Sequence, residues 1–203
     1  GWRTELHPEA TVYNQMCEVD WHRPAGPIET SGGDMMVRVA AFRQVGGFDP
    51  RLIAGEDPEF SLRLGKSGWR LERLPLAMTR HDADMTRFGQ WWQRTIRTGH
   101  CFAEIGAMHP PHFQREIRRI WVYGLLLPVL ALLGLFVSGW VVAAVLALYL
   151  LSYVKTLRGL RGQPMAARQA GFLTLAKFPN LLGMLTFYRH RRKGAAMELI
   201  EYK

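Results

Sequence analysis

Glu56 and Asp57 stand side by side in the stretch IAGEDPEF, residues 53–60, after a glycine and before a proline. Adjacent carboxylates repel, and proline has no backbone N–H to donate. A carboxylate held still can take the proton of a hydroxyl nucleophile, an effect typically of about 10²–10⁴-fold on rate. The same residues also suit a helix start, with Asp57 as N-cap and Pro58 first in the helix, a cap being worth about 1 kcal/mol. The residues alone leave both roles open. His81 follows a presumed strand, where an imidazole serves either as a metal ligand or as a structural group. Asp82 and Asp84 are neighbouring alternatives for a ligand. In QWWQRTIRTGH, residues 90–100, Trp91 and Trp92 offer aromatic faces for stacking, and Arg94 or Arg97 can meet an anion. An amphipathic helix with tryptophans at a membrane interface fits the same residues. His109 and His112 frame HPPH, whose prolines exclude a helical ligand pair and predict a loop. Cys17 and Cys101 show no metal-ligand spacing and are expected to stay reduced.

The elements that hold these residues are short. Pro24, Gly26 and Pro27, then Gly32 and Gly33, mark loops. The run MMVRVAAFRQVGGFD predicts a short entry and a helix around Val39–Val45, ended by Gly46-Gly47. PEFSLRLGKSGW predicts a second short helix, with Phe60 and Leu64 four apart on its buried face and Gly65 and Gly68 near its end. WRLERLPL reads as a strand with Trp69, Leu71 and Leu74 pointing inward, leading to TRHDAD. No internal repeat or low-complexity segment is present.

Charge and apolar content divide the chain. The net charge is +9, yet residues 1–114 hold 13 basic and 14 acidic side chains, against 13 and 3 in residues 115–203. The basic excess coincides with the apolar half, which points to a membrane surface and away from nucleic acid. From Ile120 to Val154 there are 35 residues without a charge. One helix of that length would extend about 52 Å, against a hydrocarbon core of about 30 Å, so the run should fold into a hairpin. Ser138-Gly139 is the natural turn, and Pro128 should kink the first arm. Arg115, Arg118 and Arg119 precede the hairpin and Lys155, Arg158 and Arg161 follow it, so both ends should face the cytoplasm. In GFLTLAKFPNLLGMLTFYRHRRK, Lys177, Pro179 and Asn180 interrupt the apolar pattern, and an interfacial or re-entrant segment is expected. GWRTELHPEA lacks the apolar core of a signal peptide.

Several of these marks combine. Gly32-Gly33 with Arg38, VGGFD at 45–49, GED at 55–57 with Arg63 six residues on, GW at 68–69 and His81 together resemble the C-terminal half of the catalytic domain of family 2 glycosyltransferases. KFPNLLGML and the ending LIEYK resemble tails of membrane-attached bacterial members. The resemblance implies an α/β fold, the C-terminal half of a GT-A-type domain over residues 1–112. A transmembrane hairpin over 113–158 and an interfacial segment with a cytoplasmic tail over 159–203 would follow. It implies inverting transfer from a nucleotide-sugar donor to a saccharide or lipid-linked hydroxyl acceptor at the inner membrane. Asp57 would then be the base and Glu56 its helper. Gly32, Gly33, Asp34, Trp91, Trp92, Arg94 and Arg97 would bind substrate, and His81 would help hold a divalent metal (Mg or Mn).

Two departures qualify the resemblance. Gln90 is followed by Arg94 with no tryptophan after it, unlike the QxxRW motif of processive synthases. The donor-binding half with its Asp-x-Asp motif should precede residue 30, and EVD at 18–20 stands too close to Asp57 to be it. The chain therefore reads as a fragment. The other readings are a catalytically inactive, membrane-anchored interaction module and a metal-dependent hydrolase using His81, Asp82 and Asp84.

Overall fold

The computed structural model describes residues 1–194. The ending LIEYK therefore lies outside the described residues. The chain divides into two compact units between Trp91 and Trp92.

The first unit carries β1 (Trp2–Glu5), α1 (Val12–Trp21), β2 (Gly26–Ile28), α2 (Val39–Gln44), α3 (Glu56–Lys66), β3 (Leu71–Arg73) and β4 (Ala77–His81). The described residues are mostly helical, with two small sheets: β1 pairs in parallel with β4, and β2 antiparallel with β3. In the first sheet Arg3 lies opposite Thr79 and Glu5 opposite His81.

The core of this unit forms where the apolar spacing puts it. Ala41, Phe60 and Leu64 are buried together, with Val45, Trp69 and Leu71 packed against them. Leu74, expected to point inward, lies past the end of β3 and is 46% exposed. The VGGFD turn has a steric logic. Gly46 and Gly47 both have positive φ, and a Cβ at Gly47 would stand 2.9 Å from the Phe42 ring. That close approach lets the rings of Phe42, Phe48 and Phe60 gather with centroids 4.7–5.9 Å apart. Asp49 then closes the turn: it accepts from the Arg51 backbone N–H at 3.0 Å and from its guanidinium at 2.7 Å. Those hydrogen bonds hold the Asp49 carboxyl down to about 2.

Helix α3 starts earlier than the capping pattern predicts. Its N-cap is Gly55, at φ 82° and without a side-chain cap, so Asp57 is the second helical residue and not the cap. Glycine takes the left-handed conformation without strain. Pro58 still falls in the first turn, where its missing N–H leaves no hydrogen bond unmade.

The second unit is helical. α4 (Phe88–Met108) runs into it, followed by α5 (Gln114–Ile120), a π-helical segment Trp121–Leu126, α6 (Leu127–Val137), α7 (Gly139–Gly159), α8 (Ala166–Leu175) and α9 (Lys177–Lys193). The hairpin turns at Ser138, whose hydroxyl oxygen accepts from Trp140 N–H at 3.3 Å. Pro128 cannot donate to the carbonyl four residues back, that of Gly124, and the widened turn lies directly before it. HPPH forms a loop, as its prolines require.

Glycines set the packing of this unit. A Cβ on Gly99 would lie 2.1 Å from the Asn180 carbonyl oxygen, and one on Gly183 would lie 1.9 Å from that of Ile96. The backbones of α4 and α9 therefore touch, as close-packed membrane helices do at small residues. Ala103, Ile117, Ile120, Leu181, Met184 and Phe187 form the adjoining core. Three helical stretches are long and apolar enough to cross a membrane: Gln114–Val137, Gly139–Gly159 and Ala166–Lys193. Within the third, α8 ends at Leu175, and Lys177, Pro179 and Asn180 open α9 after a turn at Ala176.

Candidate active site

The glycine loop, the acidic pair and β4, of which His81 is the last residue and not the one that follows, converge in the first unit. β1 supplies Arg3, whose Nε donates to Asp34 Oδ2 at 2.5 Å and whose Nη2 donates to the Gly32 carbonyl at 3.3 Å. The other Asp34 oxygen accepts from the Thr79 hydroxyl on β4. Both Asp34 oxygens are thus engaged within the protein, which ties the loop across the sheet. Gly33 has φ +98°, and a Cβ there would lie 2.7 Å from Arg3 Nη2 and 3.2 Å from Asp57 Oδ2. Only glycine lets the loop pass this close to the carboxylate. The Arg3 guanidinium also lies 5.2 Å over the Trp21 ring, and that ring packs edge-on against His81 at 5.4 Å.

Asp57 is half-buried. Burial pushes its carboxyl up first, the Glu56 carboxylate adds to this, and the Arg3 guanidinium opposes it. A raised carboxyl is a stronger base once ionised, which suits proton abstraction near neutral pH.

Ser61 fixes the carboxylate's backbone. It is fully buried, its hydroxyl donates to the Asp57 carbonyl at 2.7 Å, and its oxygen accepts from Ser31 N–H at 3.1 Å. Ser31 in turn donates to the Gly33 carbonyl at 2.8 Å. One hydroxyl thereby links the first turn of α3 to the glycine loop. Ser61→Ala is expected to lower turnover about tenfold, because sub-ångström displacement of a reacting group is costly. Stability should fall by about 1–3 kcal/mol for the unmade bonds. Ser61→Thr, which keeps the hydroxyl, checks the assignment: it should recover turnover in the same assay.

Arg63, singled out by its spacing from GED, is structural. It grips Glu59 through two nitrogens at 2.7–3.0 Å and donates to the Val45 carbonyl at the end of α2. Trp91 is 7% exposed and its ring meets Phe88 at 5.4 Å, so it packs as a core residue. Gln90 Oε1 accepts from Thr86 and Arg87 N–H at 2.8 and 3.0 Å, which caps the start of α4. Trp92, Arg94 and Arg97 follow on α4, in the second unit. No three His, Cys, Asp or Glu side chains gather as a metal-binding group among the described residues. The His81 ring packs edge-on against Trp21, and no candidate ligand set forms with it among the described residues.

Arg3, Trp21, Ser31, Ser61 and Thr79 were not foreseen as part of the site. Ser61 alone left a local trace, a polar residue four after Asp57 between the apolar Phe60 and Leu62. Ser31 joins through its bonds to Ser61 and Gly33, and Arg3 and Thr79 through the pairing of β1 with β4.

The matches with known proteins identify the family. The profile of the glycosyl transferase family group 2 covers residues 4–188, and the chain belongs to that family. It is 36% identical over 76 residues to the pre-mycofactocin glycosyltransferase of Mycobacterium tuberculosis (strain CDC 1551 / Oshkosh), a match spanning 37% of this chain and 16% of that protein. It is 41% identical over 76 residues to the N-acetylglucosaminyl-diphospho-decaprenol L-rhamnosyltransferase of the same organism, spanning 37% of this chain and 24% of that one. The chain thus aligns with less than a quarter of the length of these curated relatives. No solved structure matches it significantly.

Proposed function

We propose that this chain carries the acceptor-side part of an inverting glycosyltransferase of GT-A type, a hexosyltransferase acting at the cytoplasmic face of a bacterial inner membrane. Asp57 Oδ2 removes the proton from an acceptor hydroxyl. The freed oxygen lone pair then attacks the anomeric carbon as the bond from that carbon to the nucleoside diphosphate breaks and its electrons leave with the diphosphate. Glu56 orients the acceptor and keeps the Asp57 carboxyl raised. The acceptor would lie along the Gly32-Gly33 loop, which packs against the carboxylate and is held there by Asp34. Trp92, Arg94 and Arg97 are proposed contacts for the sugar nucleotide. The observation that carries this reading is the half-buried Asp57, raised by burial and held against the Gly33 backbone of the glycine loop. A lipid-linked acceptor is favoured by the decaprenol-linked substrate in the name of one relative.

Nucleoside diphosphate release from a panel of sugar nucleotides, by membranes containing the natural gene product, is the direct test. Release that depends on an added acceptor is expected, and its absence with every donor would leave the inactive interaction module.

In the proposed organisation, residues 1–112 are catalytic, 113–158 form the membrane hairpin, and 159–203 form an interfacial segment and cytoplasmic tail. Single cysteines at Ser138 and Ala167, in a version lacking Cys17 and Cys101, test the topology. An impermeant thiol reagent on intact cells should label position 138 and spare 167. A third cysteine at position 195, outside the described residues, should also be spared. Its labelling would mean that Ala166–Lys193 crosses the membrane.

A further inference from the structure

A cavity of about 760 Å³ opens between α5, the π-helical segment and α7. Four cations line it: Arg115, Arg118 and Arg119 from α5, and Lys155 from α7. All four are exposed, and none has an ion-pair partner among the described residues. Like charges gathered in one place repel unless an anion joins them.

The cavity is graded along the hairpin. The cations stand at the open ends of the two arms, whereas Leu148, Leu151 and Val122 line it nearer the turn. Leu148 is seven residues from Lys155, about 10 Å deeper at about 1.5 Å per residue. A phosphate above and apolar chains below is the polarity of a membrane lipid. The guanidiniums are also spread along α5: Arg115 and Arg119 are four residues apart, about 6 Å in helical rise. That spread suits two phosphates joined through a short linker better than one compact pyrophosphate. Arginine forks accept such oxygens bidentately.

We propose that this cavity binds a diphosphatidylglycerol-type lipid, with its two phosphates on the four cations and its acyl chains along the leucines. Basic pockets between membrane helices on the cytoplasmic side suit such headgroups. The proposal rests on the membrane reading of the hairpin and is independent of sugar transfer. Carbonate extraction separates the two: release of the chain from membranes would refute the membrane reading before any lipid is tested.

The experiment is lipid retention by native mass spectrometry, with thermal midpoints in neutral detergent, on the full chain. The added probes are diphosphatidylglycerol, phosphatidylglycerol at equal total charge, phosphatidylcholine, an isoprenoid diphosphate and inorganic pyrophosphate. One diphosphatidylglycerol per chain is expected, at least tenfold tighter than phosphatidylglycerol. Arg118→Gln with Arg119→Gln should weaken it tenfold or more. Arg158→Gln with Arg161→Gln, two cations outside the cavity, should change it less than threefold. Arg118→Lys with Arg119→Lys should recover part of the loss, and this guards against a folding defect. Equal losses in the two glutamine pairs would reduce the effect to general surface attraction and overturn the proposal. So would phosphatidylglycerol binding as well, or displacement by isoprenoid diphosphate or pyrophosphate at equal concentration.

Discussion

Asp57→Asn is expected to cut sugar transfer by about 10²–10⁴-fold, the usual effect of removing a general base. Because Asp57 is not the helix cap, the substitution should leave the start of α3 intact. It should also make the protein more stable near neutral pH. The folded protein raises the Asp57 carboxyl above its unfolded value, chiefly by burial. Between the two values the folded state binds more protons, so ionisation weakens the fold as pH rises. The gain from Asn is therefore complete above the raised folded value and disappears below the unfolded value of about 3.9. Thermal midpoints of both proteins across pH, with turnover at neutral pH, check the pair of effects. Near-normal turnover would return Asp57 to a structural role. Glu56→Gln removes the second cause of the raised carboxyl, so it should move the acidic limb of the rate profile to lower pH with at most about a tenfold loss of turnover.

Arg63→Met is expected to have the largest effect on stability. Glu59 is 1% exposed at its side chain and loses its guanidinium, whereas Arg63 is 23% exposed. Removing one partner of a buried ion pair costs about 3–5 kcal/mol, and the partial exposure of Arg63 places this case near 3. The variant also releases the Val45 carbonyl, so the turn after α2 should loosen with α3. Adding Glu59→Gln should recover part of the loss, because the stranded charge is gone. Denaturant midpoints of the three proteins measure this. A double variant no better than the single one would assign the loss to the Val45 bond.

What the amino acids reveal unaided depends on how far apart the interacting residues stand. The hairpin was legible because hydropathy and Ser138-Gly139 are local, and the α3 core because Phe60 and Leu64 are four apart. The start of α3 was misplaced by two residues, since Asp and Pro are such common openers that a left-handed glycine before them went unweighed. β1 and α1 were missed entirely. Their residues make sense only in pairs: Glu5, 3% exposed, accepts from the N–H of His7 and of Ala83, and Asn14 bonds Glu5 and Met85. At the site, the glycine loop and Asp57 were recognisable from motif resemblance. Arg3 and Thr79, which tie that loop down through Asp34, are invisible until the strands meet.

The parallel pairing of β1 with β4 also sets an order of events during synthesis. Partners in that sheet lie about 75 residues apart in the chain, so Arg3 waits for Thr79 to leave the ribosome before Asp34 can be held. Closing such a loop is entropically expensive, although the cost grows only logarithmically with length. A nascent chain ending before β4 would have α3 and its carboxylate but no sheet to anchor the glycine loop. The apolar run begins at Ile120, only after the last strand has been made. The sheet that holds the glycine loop beside Asp57 can therefore close before the apolar hairpin is complete, and arresting translation at successive lengths should separate the two steps.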